Sequence, residues 1–241
     1  MSGHSKWNNI KHKKERTDAA KAGIFTKIGK EIAVAVREGG GDPSVNGKLR
    51  DLIAKAKANN VPNDNIERAI KKSMEKGSAV YEEMTYEGYG PGGVAVIVEA
   101  ATDSKNRTAG DVRHFFSKYG GNLGSMGCVS FLFSEKGVII VADEDEEIEE
   151  DKLMEDALEA GATDFESSEG VYEIYTEPDD VYAISEALTA KGYPIASAER
   201  AKVPSTYVTL ENAEDAENMQ DLLDHLDECD DITNVFHNWD N

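Results

Sequence analysis

The chain has 241 residues, 39% hydrophobic and 30% charged, which is globular composition with enough length for more than one core. No apolar run approaches the ~20 residues that a membrane-spanning helix needs, and two cysteines, Cys128 and Cys229, with no Cys-x-x-Cys spacing exclude a disulfide framework or a cysteine zinc site and fit a reducing cytoplasm. The net charge of −21 is segregated: residues 1–76 hold 17 Lys and Arg against 9 Asp and Glu, whereas residues 77–241 hold 9 basic and 38 acidic groups, so a head of +8 precedes a body of −29.

Residues 1–17 carry Lys6, Lys11, Lys13, Lys14 and Arg16 around His4 and Trp7, with no apolar stripe to offset the entropy of ordering them. The segment is expected to be a mobile arm. It lacks the apolar core of a signal peptide, so export is not expected. Lysine charge beside an aromatic ring is the chemistry that holds a phosphate backbone and stacks on a base. A solvated, frayed terminus has the same composition, but an acidic body behind a basic head points to a polyanion as the partner of the head.

Residues 17–38 read as a helix, with Ile24, Phe25, Ile28, Ile32 and Val36 on or near one face and Gly39-Gly40-Gly41 ending it. Asp42-Pro43 is expected to open a second helix, Asp42 as cap, burying Val45, Leu49, Leu52, Ile53 and Ala56 and turning Lys48, Arg50, Lys55 and Lys57 outward. After the break at Asn59-Asn60-Val61-Pro62 comes a third helix. Asp64 and Glu67 are spaced as a capping box, Ile66, Ala69, Ile70 and Met74 form the core face, and Arg68, Lys71, Lys72 and Lys76 face out. The pattern predicts a three-helix bundle with a basic surface. A helix-turn-helix reader of DNA fits the connection between the last two helices. However, Asn63, Asp64 and Asn65 occupy the first turn of the would-be recognition helix, where Asp64 repels phosphate.

From residue 80 the period changes. Residues 81–87 and 94–99 read as strands joined by Gly88-Tyr89-Gly90-Pro91-Gly92-Gly93, a hairpin connection rather than a phosphate loop, because it precedes a strand and lacks the Gly-Lys-Ser/Thr ending. A helix follows to Tyr119, burying Val112, Phe115 and Phe116, with Lys105, Arg107, Arg113, His114 and Lys118 as a basic island that reads as a solvated face. Residues 128–133 read as a further strand. Residues 136–203 then follow the order βαββαβ, a ferredoxin-like split unit, with Leu153, Ala157, Leu158 and Ala160 inward on its first helix and Val181, Ile184 and Leu188 on its second. Residues 206–210, 214–226 and 232–236 give strand, helix and strand, which are expected to complete the sheet begun at 81–133.

The expected fold class is therefore α+β and multidomain: a basic arm and helical bundle over 1–78, a discontinuous α/β sandwich over 79–134 and 204–241, and an inserted ferredoxin-like sandwich over 135–203. No catalytic constellation stands out. His114, His225 and His237 are far apart, Cys128 lies in an apolar context, and the acidic run at 143–151 lacks the spacing of a calcium loop. Neither an enzyme, a metal nor a cofactor is expected. The residues assigned to nucleic-acid binding are His4, Lys6, Trp7, Lys11, Lys13, Lys14, Arg16, Lys21, Lys27, Lys48, Lys55, Arg68, Lys71, Lys72 and Arg107.

Gly3-His4-Ser5-Lys6-Trp7, Arg37-Glu38-Gly39-Gly40 with Asp42-Pro43, Asn59 with Val61-Pro62, and Arg68-Ala69-Ile70-Lys71-Lys72 resemble the YebC family. Tyr86-Glu87-Gly88-Tyr89-Gly90-Pro91-Gly92-Gly93 and Asn106-Arg107-Thr108 extend the likeness over nearly the whole chain. The resemblance implies a helical head and two α/β domains, one inserted in the other. It also implies a cytoplasmic, non-enzymatic regulator of gene expression. Bacterial members are widely labelled DNA-binding transcriptional regulators. Mitochondrial relatives are translational activators, and bacterial relatives associate with ribosomes and ease elongation through proline-rich stretches. The expected partners are thus ribosomal RNA or DNA and the ribosome, with no membrane, and the protein is expected to act as a monomer.

Overall fold

A computed structural model of the chain describes residues 18–143, 148–168 and 170–240. The arm, including His4, Lys6, Trp7, Lys11, Lys13, Lys14 and Arg16, lies outside the described residues, as does most of the acidic run after Asp143. In chain order the elements are α1 (Asp18–Gly39), α2 (Gly47–Ala58), α3 (Asn63–Met74), β1 (Glu82–Tyr89), β2 (Ala95–Thr102), α4 (Lys105–Lys118), β3 (Asn122–Leu123), β4 (Phe133–Ala142), α5 (Glu150–Ala160), β5 (Asp164–Ser168), β6 (Val171–Thr176), α6 (Val181–Ala190), β7 (Ile195–Pro204), β8 (Val208–Thr209), α7 (Ala213–Glu228) and β9 (Ile232–His237). The fold is α+β, and the chain divides into two compact units, one of residues 134–203 with Asp240 and one of the described residues up to 133 with 204–239.

In the larger unit, α1, α2 and α3 bury Ile28, Ile32, Val36, Leu49, Ala56 and Ile66 in one core. Asn46, not Asp42, caps α2. It accepts the Leu49 N–H at 3.1 Å and donates its amide to the carbonyls of Ala35 and Gly40, both at 2.8 Å, which locks the α1–α2 connection. Asp42 instead closes a local turn by accepting the Ser44 N–H, so the helix starts four residues later than expected and Val45 is 78% exposed. The capping box expected at α3 is also absent. The helix begins one residue before Asp64, after Pro62, and no side chain caps it. Met74, expected in the core, is exposed.

The same unit holds a four-stranded sheet in the order β3-β1-β2-β9, all antiparallel. β9, from the far end of the chain, pairs with β2 from Val96 opposite His237 to Ala100 opposite Ile232, with a bulge at Glu99. Helices α4 and α7 cover one face, packing Val112, Phe116, Met219, Leu222 and Leu226 onto Val96 and Val98. On the other face Ala95, Ile97 and Phe236 meet Val129. Residues 128–133 are not the strand expected. The backbone N–H groups of Gly127, Val129 and Ser130 all donate to the Glu87 carboxylate, so they are lost to any ladder, and a 3-10 turn at Ser130–Leu132 precedes β4. Helix α1 lies against β2 and β9, which joins the bundle to this sheet.

The smaller unit has the sheet order β5-β6-β4-β7, the order of the split βαββαβ unit. Ile139, Val141, Tyr172 and Ile174 on the sheet pack against Leu153 and Ala157 of α5 and Val181, Ile184 and Leu188 of α6. Leu158, expected inward, is half exposed at the outer edge of α5.

Candidate nucleic-acid interface

The assigned cations separate into two groups by what they touch. Lys27 on α1 reaches the backbone carbonyl of Asp227 and lies 3.5 Å from its carboxylate. Lys55 on α2 bonds Glu31 at 2.9 Å and Asn234 at 3.4 Å. Lys48 bridges Glu38 at 3.0 Å and Glu83 at 2.8 Å. Burial pulls its ammonium pKa down, the two carboxylates outweigh that, and it ends above the ordinary lysine value. Arg107 on α4 bonds Asp103 at 2.9 Å and Asp231 at 2.7 Å, which raises its pKa further. These four side chains are engaged within the molecule, and three of them, with Lys30, bind the bundle to the α/β domain.

Asp231 is the centre of that attachment. Its buried carboxylate accepts from Lys30 at 2.7 Å, Arg107 at 2.7 Å, Thr108 at 2.9 Å and Thr102 at 3.3 Å. Burial alone raises its pKa, but the hydrogen bonds from Lys30, Arg107 and Thr108 prevail and hold it at about 2. Sequence reasoning missed this hub, since Lys30 and Asp231 stand 201 positions apart.

The second group faces solvent. Arg68, Lys71 and Lys72 are exposed along the outer side of α3, opposite Ile66 and Ile70, with Lys76 just beyond the helix. Their spacing of three and four residues puts them on one face. Arg68 donates to Asn65 at 3.3 Å; Lys71, Lys72 and Lys76 make no ion pair among the described residues. Arg37 in the last turn of α1 and Lys57 in the last turn of α2 are likewise exposed; neither is among the cations assigned from the sequence. The side chain of Lys21 lies outside the described residues.

Among the described residues no helix is long and apolar enough to cross a membrane, and among the same residues no group of three or more His, Cys, Asp or Glu is placed to hold a metal ion. Burial and the nearby Glu87 push the Cys128 thiol up, away from thiolate chemistry. His225 contacts Tyr119 and the Asp221 carbonyl, and His237 accepts the Trp239 N–H.

Two family models match end to end: the TACO1/YebC N-terminal domain over residues 5–76 and the TACO1/YebC second and third domain over residues 81–239. A probable transcriptional regulatory protein of Acetivibrio thermocellus is 56% identical over 240 residues, covering 99% of each chain. Another of that name, from Ruminiclostridium cellulolyticum, is 54% identical over 241 residues, 100% of this chain and 97% of the relative. The crystal structure of a conserved hypothetical protein from Aquifex aeolicus superposes with a TM-score of 0.81 at 45% identity, over 93% of this chain and 92% of that one. The chain belongs to the TACO1/YebC family.

Proposed function

We propose that the protein is a non-enzymatic, nucleic-acid-binding regulator of gene expression that works on the ribosome, holding RNA with its basic head and assisting elongation through difficult, proline-rich stretches. The observation that carries this reading is the outer face of α3, where Arg68, Lys71 and Lys72 stand exposed, whereas Lys27, Lys30, Lys48 and Lys55 of the same head already have carboxylate partners. Such a face binds phosphate without reading bases, since the first turn of α3 presents Asn63, Asp64 and Asn65 and Arg68 bonds back to Asn65. Backbone contact of this kind suits a structured RNA. The arm, with Lys6, Lys11, Lys13, Lys14 and Arg16 on phosphates and Trp7 or His4 stacking, would extend the same contact. In this reading the chain is a basic head, a discontinuous α/β domain and an inserted one, acting as a monomer in the cytoplasm.

A DNA-binding transcriptional regulator is the second reading, favoured by the name its relatives carry. Sedimentation with purified ribosomes separates the two. A ribosome factor pellets with them at low salt and is released at high salt. A DNA regulator does not pellet, and holds one operator at least ~1,000-fold more tightly than bulk DNA. Ribosome profiling of a strain lacking the protein adds the elongation test, with pauses at defined codons expected. Changed transcript levels without pauses would overturn the translation reading.

A further inference from the structure

Residues 119–134 contain no Asp, Glu, Lys, Arg or His, although 30% of the chain is charged. The second half of this stretch is a built loop on the face of the sheet away from α4 and α7. Glu87, on β1, is a buried carboxylate that accepts the N–H groups of Gly127, Val129 and Ser130, each at 2.9 Å, while its own carbonyl accepts the Gly124 N–H at 2.8 Å. Burial raises the carboxyl pKa, the backbone donors outweigh it, and the group stays ionised with a lowered pKa. Tyr89 donates its hydroxyl to the Cys128 carbonyl at 3.2 Å, and Val129 is inserted among Ala95, Ile97 and Phe236.

Packing along the loop is tight. A Cβ on Gly88 would sit 2.6 Å from the Asn122 carbonyl oxygen, and one on Gly121 would sit 2.7 Å from that of Tyr89, so neither position admits a side chain without moving backbone. This rigid turn nevertheless presents two large apolar side chains to solvent, Met126 at 81% and Phe131 at 72% exposure, with Tyr89 beside them partly exposed. They flank the segment whose N–H groups converge on the one Glu87 carboxylate.

We infer that Met126 and Phe131 form a protein-docking tip, and that its partner is a basic protein with an apolar socket. A pre-ordered loop exposing Met and Phe with no charge at its centre has the make-up of an interface core, where Met and aromatic residues are enriched and Lys, Glu and Asp depleted. The α/β part of the unit that carries the tip, residues 77–133 and 204–239, holds 4 Lys and Arg against 16 Asp and Glu, which steers a cationic partner toward it and repels an anionic one. Nucleic acid fits less well. No cation stands between Lys118 and Lys136 in the sequence, Lys118 donates to the Tyr119 hydroxyl, and the loop N–H groups at 127, 129 and 130 are turned inward on Glu87. The inference does not depend on whether the head holds RNA or DNA.

Photocrosslinking tests it. The photocrosslinker p-benzoylphenylalanine replaces Phe131 in the full-length chain, which is irradiated in living cells. The adduct is then treated with nuclease or protease and identified by mass. The expected result is an adduct with a protein of isoelectric point above ~9, attached at an apolar side chain and reduced about tenfold by Met126→Asp. An adduct that carries nucleic acid, an adduct with an acidic protein, a yield indifferent to Met126→Asp, or no adduct overturns the inference. The thermal midpoint of the labelled chain and of the variant is checked first; if Met126→Asp lowers it, Met126→Ser takes its place. Ribosome sedimentation of the same samples is a separate readout, so loss of that reading and loss of this one are distinguishable.

Discussion

Lys30 on α1 donates to the Asp231 carboxylate at 2.7 Å, and the same carboxylate accepts Arg107 of α4 at 2.7 Å. One buried acid thus holds a cation from the bundle and a cation from the α/β domain together. Because one negative charge stands between two positive ones, removing it leaves both cations short of a partner in a half-buried place, which costs more than the loss of a single surface pair. Asp231→Asn is expected to destabilise the larger unit by about 2–4 kcal/mol. Urea unfolding of the full chain checks this: the midpoint should fall, and a value unchanged from wild type would make the hub a surface decoration.

The same carboxylate predicts an acid response. Its pKa is about 2 in the folded chain against an ordinary 3.8. The folded value is depressed, so the stabilisation is complete above pH ~4 and is lost as the pH falls through ~2, amounting to about 2 kcal/mol. Unfolding free energy measured between pH 5 and pH 2 should therefore fall less steeply in Asp231→Asn than in wild type. Equal slopes in the two proteins would assign the acid sensitivity to other carboxylates.

Much of the fold was legible because its cores follow simple periods. Ile28, Ile32 and Val36 on α1, the continuous apolar run of β2, and the βαββαβ order of the smaller unit are written in local spacing. What was not legible depends on partners remote in sequence. Asp42 looks like a helix cap by type and position, yet Asn46 takes the role because it also reaches two carbonyls on α1. Residues 128–133 have strand composition, yet Glu87, some 40 positions earlier, captures their N–H groups. The site divided in the same way. Exposed Arg68, Lys71 and Lys72 follow from the helical wheel of α3, whereas Lys27, Lys55 and Arg107 look equally free in the sequence and are tied to groups brought in by folding.

Asn46 makes a prediction of its own. Its side chain satisfies the Leu49 N–H and two carbonyls while being buried. Asn46→Ala removes the cap and leaves those groups unpaired, an expected loss of about 1–3 kcal/mol. Asn46→Asp keeps the cap but cannot donate to the Ala35 and Gly40 carbonyls, so it should restore only part of the loss. Amide hydrogen exchange in α1 and α2 is the measurement. Full rescue by Asp would mean that the cap alone matters.

The two groups of cations should behave oppositely in binding and folding assays. Alanine at Arg68, Lys71 or Lys72 removes an exposed charge with no carboxylate partner among the described residues, so stability should move by less than about 0.5 kcal/mol. If these residues hold phosphates, each change should lower the slope of log affinity against log salt by about 0.7–0.9, the smaller value for single strands. Alanine at Lys27, Lys30 or Lys55 removes a partner of Asp227, Asp231 or Glu31 and should lower the unfolding midpoint first. A salt titration of RNA binding beside a denaturant titration, on both sets of variants, reads the two effects independently. If Lys71→Ala and Lys72→Ala together left the salt slope unchanged, α3 would be no part of the contact, and the arm alone would have to carry it.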